Sequence, residues 1–98
     1  MKFPSNIHKK LQNYIYAYYD PTDGTDLPFY IGRGIGNRAF SHLKESHNPE
    51  VQKILDKLND LGTKPLIKII VHGLNADQAK IAETAAIALI GKDNLANL

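Results

Sequence analysis

The chain has no cysteine among its 98 residues. That excludes disulfides and any thiolate zinc site, and it fits the cytoplasm as the expected location. Long apolar runs are also missing. The longest nearly apolar stretch, in the last predicted helix, is interrupted by Lys80, Glu83 and Thr84, which excludes a membrane span. The start, MKFPSNIHKKL, has no apolar core of the kind a secretory signal needs. His8, His42, His47 and His72 show no metal-ligand spacing such as HExxH. No repeat, linker or low-complexity segment divides the chain. A strong charge of either sign is absent as well. The net charge is +2, which permits a phosphate-bearing partner without demanding one. What is left is a single domain over residues 1–98, with 43% hydrophobic and 22% charged residues.

The pattern is richest between Tyr14 and His42. Tyr14 to Tyr19 is aromatic and β-branched and predicts a strand. Period two puts Tyr14, Tyr16 and Tyr18 on one face and Ile15, Ala17 and Tyr19 on the other. Asp20-Pro21-Thr22-Asp23-Gly24 predicts a turn, and a second strand is expected around Pro28 to Ile31, paired antiparallel with the first. The glycines of Gly32-Arg33-Gly34-Ile35-Gly36-Asn37 do not make a dinucleotide fingerprint. Asn37 stands where the last glycine belongs, and a hairpin precedes instead of a parallel βαβ unit. They are read as letting the chain turn tightly into a helix from about Arg38 to Glu45, capped by Asn37.

Asn48-Pro49-Glu50 predicts the start of a further helix, with Val51, Ile54, Leu55, Leu58 and Leu61 as its apolar stripe and Gly62 as its end. Pro65 to Val71 predicts a third strand. It is apolar at most positions, and hence expected to be central or well covered. Asn75 and Gln78 form a capping box for a last helix reaching about Ile90, before Gly91. The expected fold class is α+β: a three-stranded antiparallel sheet flanked by helices, in the order strand, strand, helix, helix, strand, helix.

Glu83 sits on the last helix among small and apolar neighbours at helical spacing. It is either an edge residue reaching for water or a deliberately placed acid, and a buried one would need a cation beside it. Arg38 and His42 lie one turn apart on a shared face, which is either solvated or part of a site. Tyr16 and Tyr30, in paired strands, are core aromatics or phenols with a task. Two phenols, two guanidiniums, an imidazole and a carboxylate converging on one sheet face would suit phosphodiester cleavage. That reaction needs a base, cations for the charged phosphorus centre, and a metal or acid for the leaving oxygen.

With Tyr14-Ile15-Tyr16 at a first motif and Tyr30-Ile31-Gly32 at a second, followed by Arg38, His42, Glu83 and Asn97, the sequence resembles the GIY-YIG nuclease superfamily. The stretch FYIGRGIGNRAFSHL after a DPxDG turn is similar to small stand-alone members. The resemblance implies a metal-dependent endonuclease acting on DNA, with RNA not excluded. Its alternative is a non-catalytic nucleic-acid-binding or assembly module that keeps the fold. It further implies that Tyr16 and Tyr30 are the active-site phenols, with Tyr16 favoured for activating water. Arg33 would stand beside the scissile phosphate and Arg38 would stabilise the transition state. His42 would assist the nucleophile or the neighbouring phenol. Glu83 would hold a single Mg²⁺ or Mn²⁺ ion, and Asn97 would support the site by hydrogen bonding, with Asn94 as fallback. Two departures stand out. Tyr14 occupies the first motif's glycine position, which is expected to narrow or reshape the groove, and Arg33 replaces a common lysine. Many members carry a separate DNA-binding domain. None follows Leu98 in this sequence, so specificity is expected from DNA structure, a partner protein or an oligomer.

Overall fold

The computed structural model describes residues 12–36, 38–40, 48–91 and 95. The elements are β1 (Asn13–Tyr19), β2 (Tyr30–Gly34), a 3-10 turn (Arg38–Phe40), α1 (Pro49–Asp60), β3 (Leu66–Leu74) and α2 (Ala76–Ile90). The sheet order is β2-β1-β3, and both pairings are antiparallel. This is the expected α+β order, with the 3-10 turn at the start of the first predicted helix.

β1 runs through the middle of the sheet, and its residues from Tyr14 to Tyr18 are all buried. Alternation splits them between two layers. Tyr14, Tyr16 and Tyr18 pack with Phe29, Val51 and Leu55, so α1 covers that side. Ile15, Ala17 and Ile31 pack with Ala79, Ala82 and Ala86, so α2 covers the other. The tyrosine layer is a chain of tilted rings. Tyr16 and Tyr18 have centroids 5.4 Å apart, and Tyr30 joins them at 6.1 and 5.5 Å. Tilted aromatic pairs at such spacing add about 0.5–1.5 kcal/mol each beyond the area they bury.

Local chemistry sets the helix ends. The Asn48 side chain accepts the Glu50 and Val51 N–H groups at 3.0 and 3.2 Å, and Pro49 occupies the first position, where no N–H is needed. Asn75 accepts from Gln78 N–H at 2.8 Å, and the Gln78 side chain accepts the Asn75 N–H at 3.0 Å, completing the capping box. Lys57 of α1 pairs with buried Asp20, whose carboxylate also accepts from Thr22, so the start of the β1–β2 loop is tied to the helix.

Several expectations are corrected. β3 is an edge strand, not a central one, and none of its residues is buried. β1, flanked on both sides, takes the centre. Ile67 and Ile69 lean against the tyrosine layer, whereas Leu66, Ile70 and Val71 are exposed. Two register shifts against β1 leave β3 bulged near Ile70 and Gly73, the usual way an edge avoids pairing further. β2 starts at Tyr30, after Pro28, and continues through Gly34. Leu61 is exposed at the C-cap of α1 and does not belong to the buried stripe. The helical reading beyond Phe40, and the Asn37 cap, lie outside the described residues.

Candidate active site

In the β1–β2 pairing Tyr18 stands opposite Tyr30, Tyr16 opposite Gly32, Ile15 opposite Arg33 and Tyr14 opposite Gly34. Directly opposed residues share a face. Tyr30, Gly32 and Gly34 therefore belong to the tyrosine side of β2, and Arg33 to the α2 side. The phenols and the acid of α2 thus come from opposite faces of the sheet. They meet because β2 is an edge strand and because Gly32 has no side chain.

A methyl group at Gly32 would stand 2.6 Å from both Cζ and the hydroxyl of Tyr16. The Tyr16 ring therefore lies across bare backbone, with its hydroxyl end over β2. A cleft of about 410 Å³ lies at this edge, lined by Tyr16, Tyr30, Arg33, Arg38 and Glu83, among others. Gly32 and Gly34 are thus strand residues that make room for side chains, and the turn itself uses Gly36, at φ +59°. Gly32→Ala is expected to cost about 1–3 kcal/mol, as overpacking does in a filled core, because Tyr16 is buried and cannot swing clear. Urea denaturation checks this. A loss below about 0.5 kcal/mol would mean that the ring moves freely.

The two phenols are not equivalent. Tyr16 is 2% exposed, and burial, reinforced by the neighbouring Tyr30 and Tyr18 phenols, pushes its pKa well above the ordinary tyrosine value. Burial also raises Tyr30, and Glu83 adds to the rise, while a hydrogen bond with Tyr16 and the charge of Arg38 pull it back down. The bond between them favours the proton on Tyr16 and the phenolate on Tyr30. Sequence reasoning leans to Tyr16 for activating water; of the two phenols, only Tyr30 has neighbours that pull its pKa down.

Arg33 Nε lies 3.5 Å from Glu83 Oε1, with the arginine side chain about half exposed. A pair this long and this wet contributes about 0.2–1 kcal/mol at most, so either partner can exchange to a phosphate or a cation. Glu83 is thus neither a plain edge residue nor fully enclosed. Among the described residues no group of three or more His, Cys, Asp or Glu could hold a metal. Glu83 is the one carboxylate among the described residues that line the cleft. Such a donor set suits a cation that keeps most of its water shell, as Mg²⁺ does.

Sequence reasoning missed the work of Tyr14 and Tyr18. Tyr14 does not narrow the cleft. It is fully buried, its hydroxyl donates to the Gly36 carbonyl at 2.7 Å, and it accepts the Ala39 N–H at 3.0 Å. The Tyr18 hydroxyl donates to the Ala39 carbonyl. A run of tyrosines on one strand face is the signal that could have been followed, but nothing in it names the acceptors. His42, Asn97 and Asn94 lie outside the described residues.

A family model described as the LEM-3-like GIY-YIG domain matches residues 26–98. The match includes Tyr30, Arg33, Arg38 and Glu83. β1 with Tyr16 precedes it, and sheet pairing brings that strand to the same cleft. No curated protein and no solved structure matches the chain.

Proposed function

The chain belongs to the LEM-3-like GIY-YIG domain family, a nuclease family, and from that premise we propose that it is a divalent-metal-dependent endonuclease hydrolysing DNA phosphodiester bonds. The supporting observation is the cleft around the edge of β2, where the Tyr16–Tyr30 pair, Arg33, Arg38 and Glu83 stand together.

In this reading Tyr30 is the general base. As phenolate it takes a proton from water while the water oxygen attacks phosphorus; the bond to the 3′ oxygen breaks, and that oxygen takes a proton from solvent. The products are a 5′-phosphate and a 3′-hydroxyl, the polarity implied by the resemblance. Tyr16 holds the Tyr30 oxygen by hydrogen bond and keeps its own proton. Arg38 faces the negative charge that grows on the phosphoryl oxygens, where a fixed guanidinium in a cleft stabilises more than it would in water. Arg33 leaves its loose pairing with Glu83 to meet the phosphate. Glu83 would hold Mg²⁺ or Mn²⁺, and such an ion would supply positive charge to offset the negative charge of the leaving group. His42 is assigned to the nucleophile side and Asn97 to hydrogen-bonded support.

Supercoiled plasmid incubated with the purified chain should be nicked in Mg²⁺ or Mn²⁺ and remain intact in EDTA. Cutting should be weak and fall only gently with added salt, because few cations hold the duplex and the salt slope scales with their number. Binding of DNA without cutting under either metal would overturn the proposal in favour of a non-catalytic nucleic-acid-binding module.

A further inference from the structure

Of the described residues between β2 and the 3-10 turn, Ile35 has little packing to hold it. Ile35 is 63% exposed, and a single 3-10 turn of three residues has weak internal bonds. Yet this segment carries Arg38 to the cleft. Among the described residues, three hydrogen bonds to the centre of the sheet hold it. Tyr14 donates to Gly36 and accepts from Ala39, and these two bonds end on residues that bracket Arg38 closely in the chain. Tyr18 donates to the Ala39 carbonyl, which leaves the residue after Arg38 gripped at both its N–H and its C=O. The stem of Arg38 also sits directly on Gly34, where an added Cβ would be 3.0 Å from the arginine Cβ and 3.4 Å from the Tyr14 ring. The Arg38 charge is near enough to lower the Tyr14 pKa against the rise that burial causes.

We infer that Tyr14 is a positioning residue for Arg38: its hydroxyl transmits the rigidity of β1 to the guanidinium that meets the phosphate. The inference rests on the nuclease reading given above. It also accounts for a tyrosine where the resemblance would have glycine. The added ring serves the underside of the arginine loop and stays out of the substrate's way. A cation set in place beforehand loses little freedom at the moment of reaction, and that preorganisation appears in turnover, not in ground-state binding.

The test is a double-mutant cycle on plasmid nicking by the full chain. Arg38→Ala alone should lower kcat about 10²–10³-fold, as loss of a charge-stabilising donor does. Tyr14→Phe, which keeps the ring, should lower kcat at least about tenfold with KM within about twofold. In the Arg38→Ala background the same change should cost less than about twofold, because the residue it acts through is gone. Equal losses in both backgrounds would show a general structural effect and overturn the inference. A second measurement needs no turnover. In the ¹⁵N spectrum of Tyr14→Phe, the Arg38 Nε–H signal should move toward the free-arginine position and the Ala39 amide should exchange faster. An unmoved Arg38 signal would overturn the inference even if cutting slows. Should the wild type cut under neither metal, the nuclease reading falls, and the Arg38 signal still decides whether Tyr14 sets that side chain. If Tyr14→Phe does not fold, Tyr18→Phe reads the same coupling from the other hydroxyl, and additivity there counts against it.

Discussion

Glu83→Gln should abolish metal-dependent nicking, with a loss of at least about 10³-fold, while the protein melts within a few degrees of the wild type. The two halves of this expectation come from different physics. Amide for carboxylate keeps the shape of the side chain and removes the one negative donor among the described residues lining the cleft. A hydrated divalent ion held by a single carboxylate has no other carboxylate among the described cleft-lining residues to replace that charge. Stability, by contrast, depends little on Glu83. Its pairing with Arg33 is 3.5 Å long and open to water, in the range of about 0–1 kcal/mol for exposed pairs. The apolar side of α2, through Ala79, Ala82 and Ala86, is unaffected. DNA binding in EDTA should be equal or tighter in the variant, because a negative charge beside Arg33 has gone. Nicking assays, a thermal melt and a filter-binding titration on one preparation separate these effects. Cutting within tenfold of the wild type would remove Glu83 from the metal site. Loss of cutting with a collapsed melting temperature would instead make the residue structural.

The second large effect concerns the base. Tyrosine has an unperturbed pKa of about 10, and burial holds Tyr30 above it, so only a small fraction is phenolate at neutral pH. Turnover should therefore climb about tenfold per pH unit from 6.5 to 9 without levelling off. Tyr30→Phe should lower kcat by about 10²–10⁴ and flatten that slope, since a general base contributes on this scale. Tyr16→Phe should keep the slope at a lower rate. The hydrogen bond that lowers the Tyr30 pKa is lost, and the base becomes harder to ionise. Stability runs in the opposite direction. Both phenols have folded-state pKa values above the unfolded one, so the fold keeps their full contribution below about pH 10 and loses it as pH rises through the folded values. Rates are best compared below that limit. A Tyr30→Phe enzyme with an unchanged slope would assign the proton transfer to another group.

Much of this arrangement can be read from residue order. The split of β1 into a tyrosine face and an aliphatic face follows from period two and holds throughout the strand. Asn48-Pro49 and Asn75 with Gln78 mark their helix starts because capping is local chemistry that needs no knowledge of the fold. What misleads is whatever depends on neighbours distant in sequence. The apolar composition of β3 suggests a central strand, but centrality is decided by which strand has partners on both sides, and β1 has them. Gly32 and Gly34 look like turn residues because the tyrosines of β1 that lie over them are far away in the chain, although Gly34 also meets the nearby Arg38. The convergence of Tyr16, Tyr30, Arg33, Arg38 and Glu83 is legible only through the family resemblance. No spacing reveals that an acid from one face and phenols from the other reach round the same strand. The same blindness applies to Tyr14, whose value lies in two backbone atoms of a loop.

An apparatus assembled around a strand's margin has a mechanical corollary. Neither layer of the sandwich contains a complete set of reacting groups, so loosening either helix-covered side separates the halves. Cutting should fail as soon as the layers slip by an ångström or so, well before the sheet itself comes apart. Under the proposed nuclease reading, a protein built in this way would monitor its own integrity: only molecules whose two sides are in register with each other would break a strand of DNA.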